Sequence, residues 1–373
     1  MSISCKLIME AMEKLAPTAL AEKWDNVGLL IGSPEQEVNK VLVTLDVTLP
    51  VVRYAAEHGY ELIISHHPVI FKSLSSIRTD TPQGEMLAVL LQHSIAVYCA
   101  HTNLDIAAGG VNDALAACLQ LQALKPLQVT AEEKFVKLVV FAPVTHMETV
   151  REAICQAGAG HIGNYSHCTF QTAGMGTFLP LAGTKPFIGE QGRMEYVQEC
   201  RLETIVPESL SKQVVAAMIQ SHPYEEVAYD LYSLANNGIR QGLGRLGRLS
   251  HPRNFTDFIE YVKSALGVGQ VTVAGNVDNK MIEKVAICGG SGASLINCSI
   301  AAGADVLITG DIKYHEAQEA AAKGLIVVDA GHFATEQPVL AVLTAYLQAC
   351  SETADWHITI QSDAVNQDIF QCY

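Results

Sequence analysis

Glu61-Leu-Ile-Ile-Ser65-His66-His67-Pro68 sets an apolar run directly before two imidazoles, and three other stretches end in the same way. They are Ala96-Val-Tyr-Cys-Ala-His101-Thr-Asn-Leu-Asp105, Asp305-Val-Leu-Ile-Thr-Gly-Asp311-Ile-Lys-Tyr-His315 and Leu325-Ile-Val-Val-Asp329-Ala-Gly-His332-Phe-Ala-Thr-Glu336. A run of Leu, Ile and Val reads as a strand buried on both faces, and it delivers whatever follows it to one edge of a sheet. Four such endings are expected to gather imidazoles and carboxylates in a common cleft. The fold class that follows is α/β.

Working outward, the two ends of the chain align with each other. Val41 to Asp46 matches Val285 to Gly290, Ala55 to His67 matches Ile300 to Asp311, and Ile95 to His101 matches Leu325 to His332. Each part then reads as strand, helix, strand, helix, strand with polar residues at the strand ends. The expectation is two similar α/β lobes, residues 1–127 and 246–373, sharing one cleft. Chance likeness between α/β units is the competing explanation.

Residues 128–245 break the pattern. The order there is a strand at Phe135 to Ala142, a helix from Thr145 to Ala157 capped by Thr145, and an alternating stretch from Cys168. A strand at Tyr196 to Val206, a helix from Pro207 to Ile219 and a strand at Val227 to Tyr232 complete it. That β-α-β-β-α-β order predicts an inserted ferredoxin-like α+β domain. Gly158, Gly160 and Gly163 follow a helix instead of linking a strand to one, so turns at positive φ explain them better than a dinucleotide fingerprint. Gly242, Gly244 and Gly247 read as a return linker, with Arg240, Arg245 and Arg248 available to a phosphate.

A chain of 373 residues exceeds the roughly 250 to 300 at which single cores stop growing, which agrees with more than one domain. Hydrophobic residues make up 49% and charged residues 17%, a balance that suits a packed chain and not a disordered one. The net charge of -15 and the absence of a basic run argue against nucleic acid as a partner, while a divalent cation remains compatible. Ten scattered cysteines without a C-x-x-C pair read as reduced thiols of a cytoplasmic protein. No window approaches the ~18 apolar residues of a membrane span, and the N-terminal stretch, with Glu and Lys inside its apolar pattern, reads as an amphipathic helix.

His66 and His67 lie just past a strand end, where Pro68 keeps His67 extended, so neighbouring imidazoles suit two adjacent ions better than one. Asp105 is expected in a loop on the same rim. His332 and Glu336 stand four apart; with Pro338 in a first helical turn and Thr335 as N-cap, His332 would precede the helix and Glu336 open it. Three imidazoles and two carboxylates, His66, His67, Asp105, His332 and Glu336, suit Zn²⁺ foremost, with Fe²⁺ or Mn²⁺ as alternatives. His101 and His315 are candidates for proton transfer, and Asp46 and Asp311 either orient an imidazole or cap a turn. Asp25 and Asn26 read as a turn near the cleft, and His222 in Ser221-His-Pro-Tyr-Glu-Glu226 as a helix-to-strand turn.

Taken together, Trp24-Asp-Asn-Val-Gly28, Ser65-His-His-Pro68, His101-Thr-Asn-Leu-Asp105, Thr309-Gly-Asp-Ile-Lys-Tyr-His315 and Gly331-His-Phe-Ala-Thr-Glu336 resemble the Nif-three-like family. Its bacterial members are often labelled GTP cyclohydrolase type 2 homologues, and Gly158 to Gly189 with His222-Pro-Tyr-Glu-Glu226 resembles its longer members, which carry a PII-like insert. The resemblance implies a dinuclear site of His66, His67, Asp105, His332 and Glu336, bridged by Glu336, in a ring-shaped homohexamer. Two functions remain open. One is metal-dependent hydrolysis of a nucleotide or related small molecule, by ring opening with formate release; the other is a non-catalytic, metal-dependent assembly or regulatory protein with a ligand-sensing insert.

Overall fold

The structure is a computed structural model describing residues 2–371. The chain divides into two compact units, Met1–Ala131 with Gln241–Tyr373, and Glu132–Arg240.

Two mixed sheets and a short antiparallel pair, Ile3–Ser4 with Glu37–Val38, build the larger unit. In one, the strands Thr359–Ser362, Lys40–Thr44, Leu62–Ser65 and Ala96–Cys99 run parallel in that spatial order, and Gly28–Ile31 closes the edge antiparallel. Side chains alternate faces along a strand. Val41, Val43, Leu62 and Ile64 therefore pack with the helices Cys5–Leu15 and Pro338–Thr353, while Leu42, Ile63 and Val97 meet Leu49–His58 and Pro82–Gln92. In the other sheet the order is Thr272–Ala274, Ile326–Asp329, Val306–Gly310, Met281–Ser291, Arg240–Asn254 and Gln122–Glu132, with the Met281, Val306 and Ile326 strands parallel. Ala286, Leu307 and Val327 share one face with Ile296 and Ala320; Val285, Ile308 and Val328 share the other with Phe258 and Val262.

The C-terminal helix ties the two sheets together. It follows Glu336, yet its Leu343 and Leu347 are buried in the core of the first sheet, each contributing about 2 kcal/mol by burial. The strand after it, Thr359–Ser362, pairs with Lys40–Thr44 in register Ile360 to Val41. This return crossing brings residues more than 260 positions apart into contact: His67 and His332 face each other across 3.2 Å.

The smaller unit has one antiparallel sheet in the spatial order Tyr229–Ser233, Phe135–Pro143, Glu195–Pro207 and Thr169–Phe178. Helices Met147–Gln156 and Ser211–Ser221 lay Val150, Ile154, Val214 and Met218 over Leu138, Val140 and Leu202. Gly158, Gly160 and Gly163 all take positive φ, as turn glycines do.

Several local expectations need correction. Thr145 is not a cap: its hydroxyl meets His146 Nδ1 at 2.9 Å, and the helix begins at Met147. Pro207 leads into a short 3-10 turn, so the next helix begins at Ser211. Gly242, Gly244 and Gly247 do not form a linker but lie inside the long Arg240–Asn254 strand. A Cβ on Gly242 would come within 1.9 Å of the Gln128 carbonyl oxygen, so glycine here serves close strand approach. Arg245 is buried and bound to Asp113, which removes its charge from any phosphate.

Candidate metal centre

The four strand endings do converge. Beyond Ser65 the chain stays in register long enough for the His66 and His67 amides to donate to Thr44 and Leu45, which carries both rings past the sheet edge. His101 leads into the short helix Thr102–Ile106, so Asp105 belongs to a helical turn and not to a loop. His332 and Glu336 both lie in the helix His332–Glu336 with Gly331 at its N-cap, and Thr335 is not the cap that its position before Pro338 suggests. Its hydroxyl is committed elsewhere, accepting from the Gly290 amide at 3.0 Å and donating to the Gly331 carbonyl.

Each imidazole is anchored through Nδ1. His66 donates to the Ala100 carbonyl at 2.9 Å, His67 to Asp46 at 2.8 Å, His101 to Asp25 at 2.8 Å and His332 to Asp311 at 2.7 Å. With Nδ1 holding the proton, the Nε2 lone pair is the free donor, as in histidines that bind metal with an outer partner. The Nε2 atoms of His66, His67 and His332 converge around Glu336. Its Oε1 lies 3.6 Å from His66 and 3.3 Å from His332, and its Oε2 lies 3.1 Å from His67.

Three overlapping donor groups result: His66, His67 and His101; His67, His332 and Glu336; His66, Asp105 and Glu336. The atoms within each group lie within 4.8 Å of one another. Three buried atoms here, His66 Nε2, Asp105 Oδ1 and Glu336 Oε2, make no hydrogen bond. Buried polar atoms are nearly always paired, and an ion is one of the standard explanations for those that are not. A metal ion therefore fits these residues.

Electrostatics favour positive charge at the same point. Burial works against ionisation of Glu336, but His66, His332 and His67 around it hold its carboxyl well below the usual range. Burial likewise opposes the His67 imidazolium, yet Asp46 and Glu336 push its pKa up to about 10. Glu336 raises His332 to about 9 against the effect of burial. Burial, reinforced by Glu336, raises Asp105. The cluster attracts cations, whether protons or metal.

Asp46 and Asp311 orient imidazoles, as one of their two sequence readings anticipates. His315 stays outside the cluster: it is exposed at the start of the Tyr314–Ala322 helix, and the preceding Asp311, at φ 56°, turns back to His332 in its place. Three contributors escaped the sequence reading. Asp25 is no simple turn residue, because its buried carboxylate holds His101 and accepts from the Thr102 amide at 3.0 Å. Asp329 accepts from the Ile312 and Gly331 amides and so fixes both loops that bear Asp311 and His332. Gly290 sits at φ 60°, and a Cβ there would stand 2.2 Å from Glu336 Oε1. Asp25 and Asp329 were visible as carboxylates inside the quoted stretches, whereas Gly290 ends one of the matched stretches but has no side chain to suggest a role.

Fold and site together define an α/β protein with a buried His and carboxylate cluster able to hold metal. The family model for Duf34/NIF3 (NGG1p interacting factor 3) matches residues 3–368, and the chain belongs to this family. It is 49% identical over 325 residues to the GTP cyclohydrolase 1 type 2 homolog of Halalkalibacterium halodurans, covering 87% of each chain. To the homologue of the same name in Bacillus subtilis it is 47% identical, covering 89% of each. Among solved structures, a Bacillus cereus protein related to NIF3 superposes with a TM-score of 0.91 at 42% identity, covering 100% of this chain and 99% of that one.

Proposed function

We propose that this protein is a dinuclear metal-dependent hydrolase of a nucleotide or related small molecule. In this reading His66, His67, Asp105, His332 and Glu336 hold two divalent ions, Zn²⁺ foremost, with Fe²⁺ or Mn²⁺ as alternatives. The observation that carries it is the buried Glu336, whose two carboxylate oxygens face the Nε2 atoms of different imidazoles. Divalent ions held by these residues would supply Lewis acidity and lower the pKa of water towards ~7.

The chain's own groups then have defined tasks. Asp25 fixes the His101 tautomer, so that His101 Nε2 can take a proton from water and return it to a leaving nitrogen. Beside His101 stand two exposed aromatics, Trp24 at 6.1 Å and Phe71 at 5.9 Å from Trp24, which offer a stacking surface for a planar base. On the other side His332, Asp311 and Asp329 border a cleft of about 760 Å³, ample for a small molecule. Relatives named GTP cyclohydrolase 1 type 2 homolog lend support to the finer reading proposed here, a cyclohydrolase-type ring opening with release of formate.

The larger unit comprises two related α/β lobes, since each sheet contains three successive parallel strands linked by helices. The smaller unit is a PII-like ferredoxin-type insert, supported by its β-α-β-β-α-β order. We assign the chain to a cytoplasmic homohexamer on the family resemblance and on buried cysteines such as Cys5 and Cys200, which pack as small apolar residues. A second reading, a non-catalytic assembly or regulatory protein, draws support from the separate core of the smaller unit. Incubation of protein loaded with Zn²⁺, Fe²⁺ or Mn²⁺ with GTP is expected to release formate. Phosphate release instead would move the assignment to phosphoester hydrolysis, and no turnover with any metal would favour the regulatory reading.

A further inference from the structure

The smaller unit holds a cavity of about 260 Å³ that has no part in the metal centre. Its walls include Phe141, Phe178, Phe187 and Tyr224, and the Phe178 and Tyr224 rings meet edge to face at 5.8 Å. Into these aromatic walls projects Glu199, only 9% exposed, from the Glu195–Pro207 strand. Tyr224 donates its hydroxyl to Glu199 Oε1 at 2.8 Å, while Oε2 has no hydrogen bond or ion pair among the described residues.

The backbone makes room for this carboxylate. Gly176, on the neighbouring strand, would place a Cβ 2.0 Å from Oε2, so a glycine here leaves the carboxylate room where it stands. The neighbouring imidazole of His222 does not neutralise it. His222 Nε2 donates to the Phe141 carbonyl and Nδ1 accepts the Tyr224 amide, a pairing that requires a neutral ring. Glu225 and Glu226 add two more carboxylates to the walls, and neither Lys nor Arg contributes to them. Lys185 reaches Glu225 only through its backbone amide, its side chain being exposed.

These features select a ligand by charge and shape. An anion would be repelled, and a neutral apolar molecule would strip water from Glu199 without compensating it. A metal ion needs several donors at close range, and Glu199 belongs to none of the metal-capable groups among the described residues. A cation with an apolar body satisfies both the carboxylate and the ring faces. We propose that this cavity binds a small organic cation, an ammonium or amidinium group on an apolar body, with the charge on Glu199 Oε2 and the body between Phe178, Phe187 and Tyr224. The Ser221-His-Pro-Tyr-Glu-Glu226 motif thereby serves a ligand site: Tyr224 orients the receiving carboxylate and His222 holds the loop that carries it.

The full chain titrated calorimetrically with phenethylammonium is expected to bind it saturably, and roughly tenfold or more tightly than the isosteric anion 3-phenylpropionate. Glu199→Gln, which keeps the acceptor for Tyr224, should abolish that preference. Phe187→Ala, at a half-exposed position where folding is not at stake, should weaken the ammonium, and chelation of metal should leave its binding unchanged. Equal or tighter binding of the anion, absence of saturable ammonium binding, or unchanged affinity in both variants would overturn the proposal.

Discussion

Asp46 Oδ1 accepts the Nδ1 proton of His67 at 2.8 Å, and the opposite corner of the same ring points at Glu336. The carboxylate thus fixes which nitrogen carries the proton and leaves the other as a lone-pair donor. Asn366 holds Asp46 in turn, through Oδ2 at 3.2 Å. Replacing Asp46 with Ala is expected to weaken metal binding roughly 10- to 100-fold with little change in the fold. Competition against a chelator of known affinity measures this; unchanged affinity would remove Asp46 from the site.

Gly290 carries a second prediction. In Gly290→Ala the new methyl meets Glu336 Oε1 at 2.2 Å and the backbone must hold φ at 60°, which disfavours any L side chain. Glu336 has no free space to retreat into, being 3% exposed. Expected results are a stability loss of about 1 to 3 kcal/mol by chemical denaturation and metal content well below that of the parent by elemental analysis. Full metal occupancy would show that Glu336 can move without loss of the site.

The strands were legible because Leu62–Ser65, Ala96–Cys99, Val306–Gly310 and Ile326–Asp329 are buried on both faces, and burial of that kind leaves an apolar run. Convergence of His66, His67, His101, Asp105, His332 and Glu336 was legible for the same reason, since strand ends share an edge. Roles set by distant partners were not. Thr335 looked like a cap because Pro338 follows, but the Gly290 amide claims its hydroxyl from 45 positions away. Arg245 looked free among glycines, and its partner Asp113 stands 132 positions earlier. His315 followed a strand as the others do, yet a left-handed turn at Asp311 redirected the chain.

Proton linkage gives a third prediction. With pKa values of about 10 for His67 and about 9 for His332, against roughly 6.5 in an unfolded chain, both rings are charged at neutral pH in protein stripped of metal. A histidine raised on folding stabilises the fold below its unfolded value, and that stability is lost as pH rises through the folded values. The melting temperature of metal-free protein is therefore expected to fall as pH rises from about 7 towards 10, while the metal-loaded form, whose Nε2 atoms carry no proton, changes less. Metal titration near neutral pH should release about two protons, read as a buffer-dependent calorimetric heat. Zero release would mean that His67 and His332 do not give up their protons to the ion.

Arg245 offers the last test, because its partner's helix supports the centre from behind. Its guanidinium grips Asp113 at 2.6 and 3.0 Å and also donates to the carbonyls of Ala107, Gly242 and Gly244. Asn112, the neighbour of Asp113, bridges the Asp105 carbonyl at 2.9 Å and the Gly289 amide at 3.1 Å, so this helix joins both sides of the site. Arg245→Met leaves three carbonyls without this donor and the partly buried Asp113 carboxylate with only the Gly109 amide, and should cost about 3 kcal/mol in urea denaturation. Arg245→Lys keeps the charge but not the fork, and should recover only part of the loss. Adding Asp113→Leu to Arg245→Met should restore stability towards the parent if the stranded carboxylate causes the loss. A double variant no more stable than Arg245→Met would assign the loss to the three carbonyls instead.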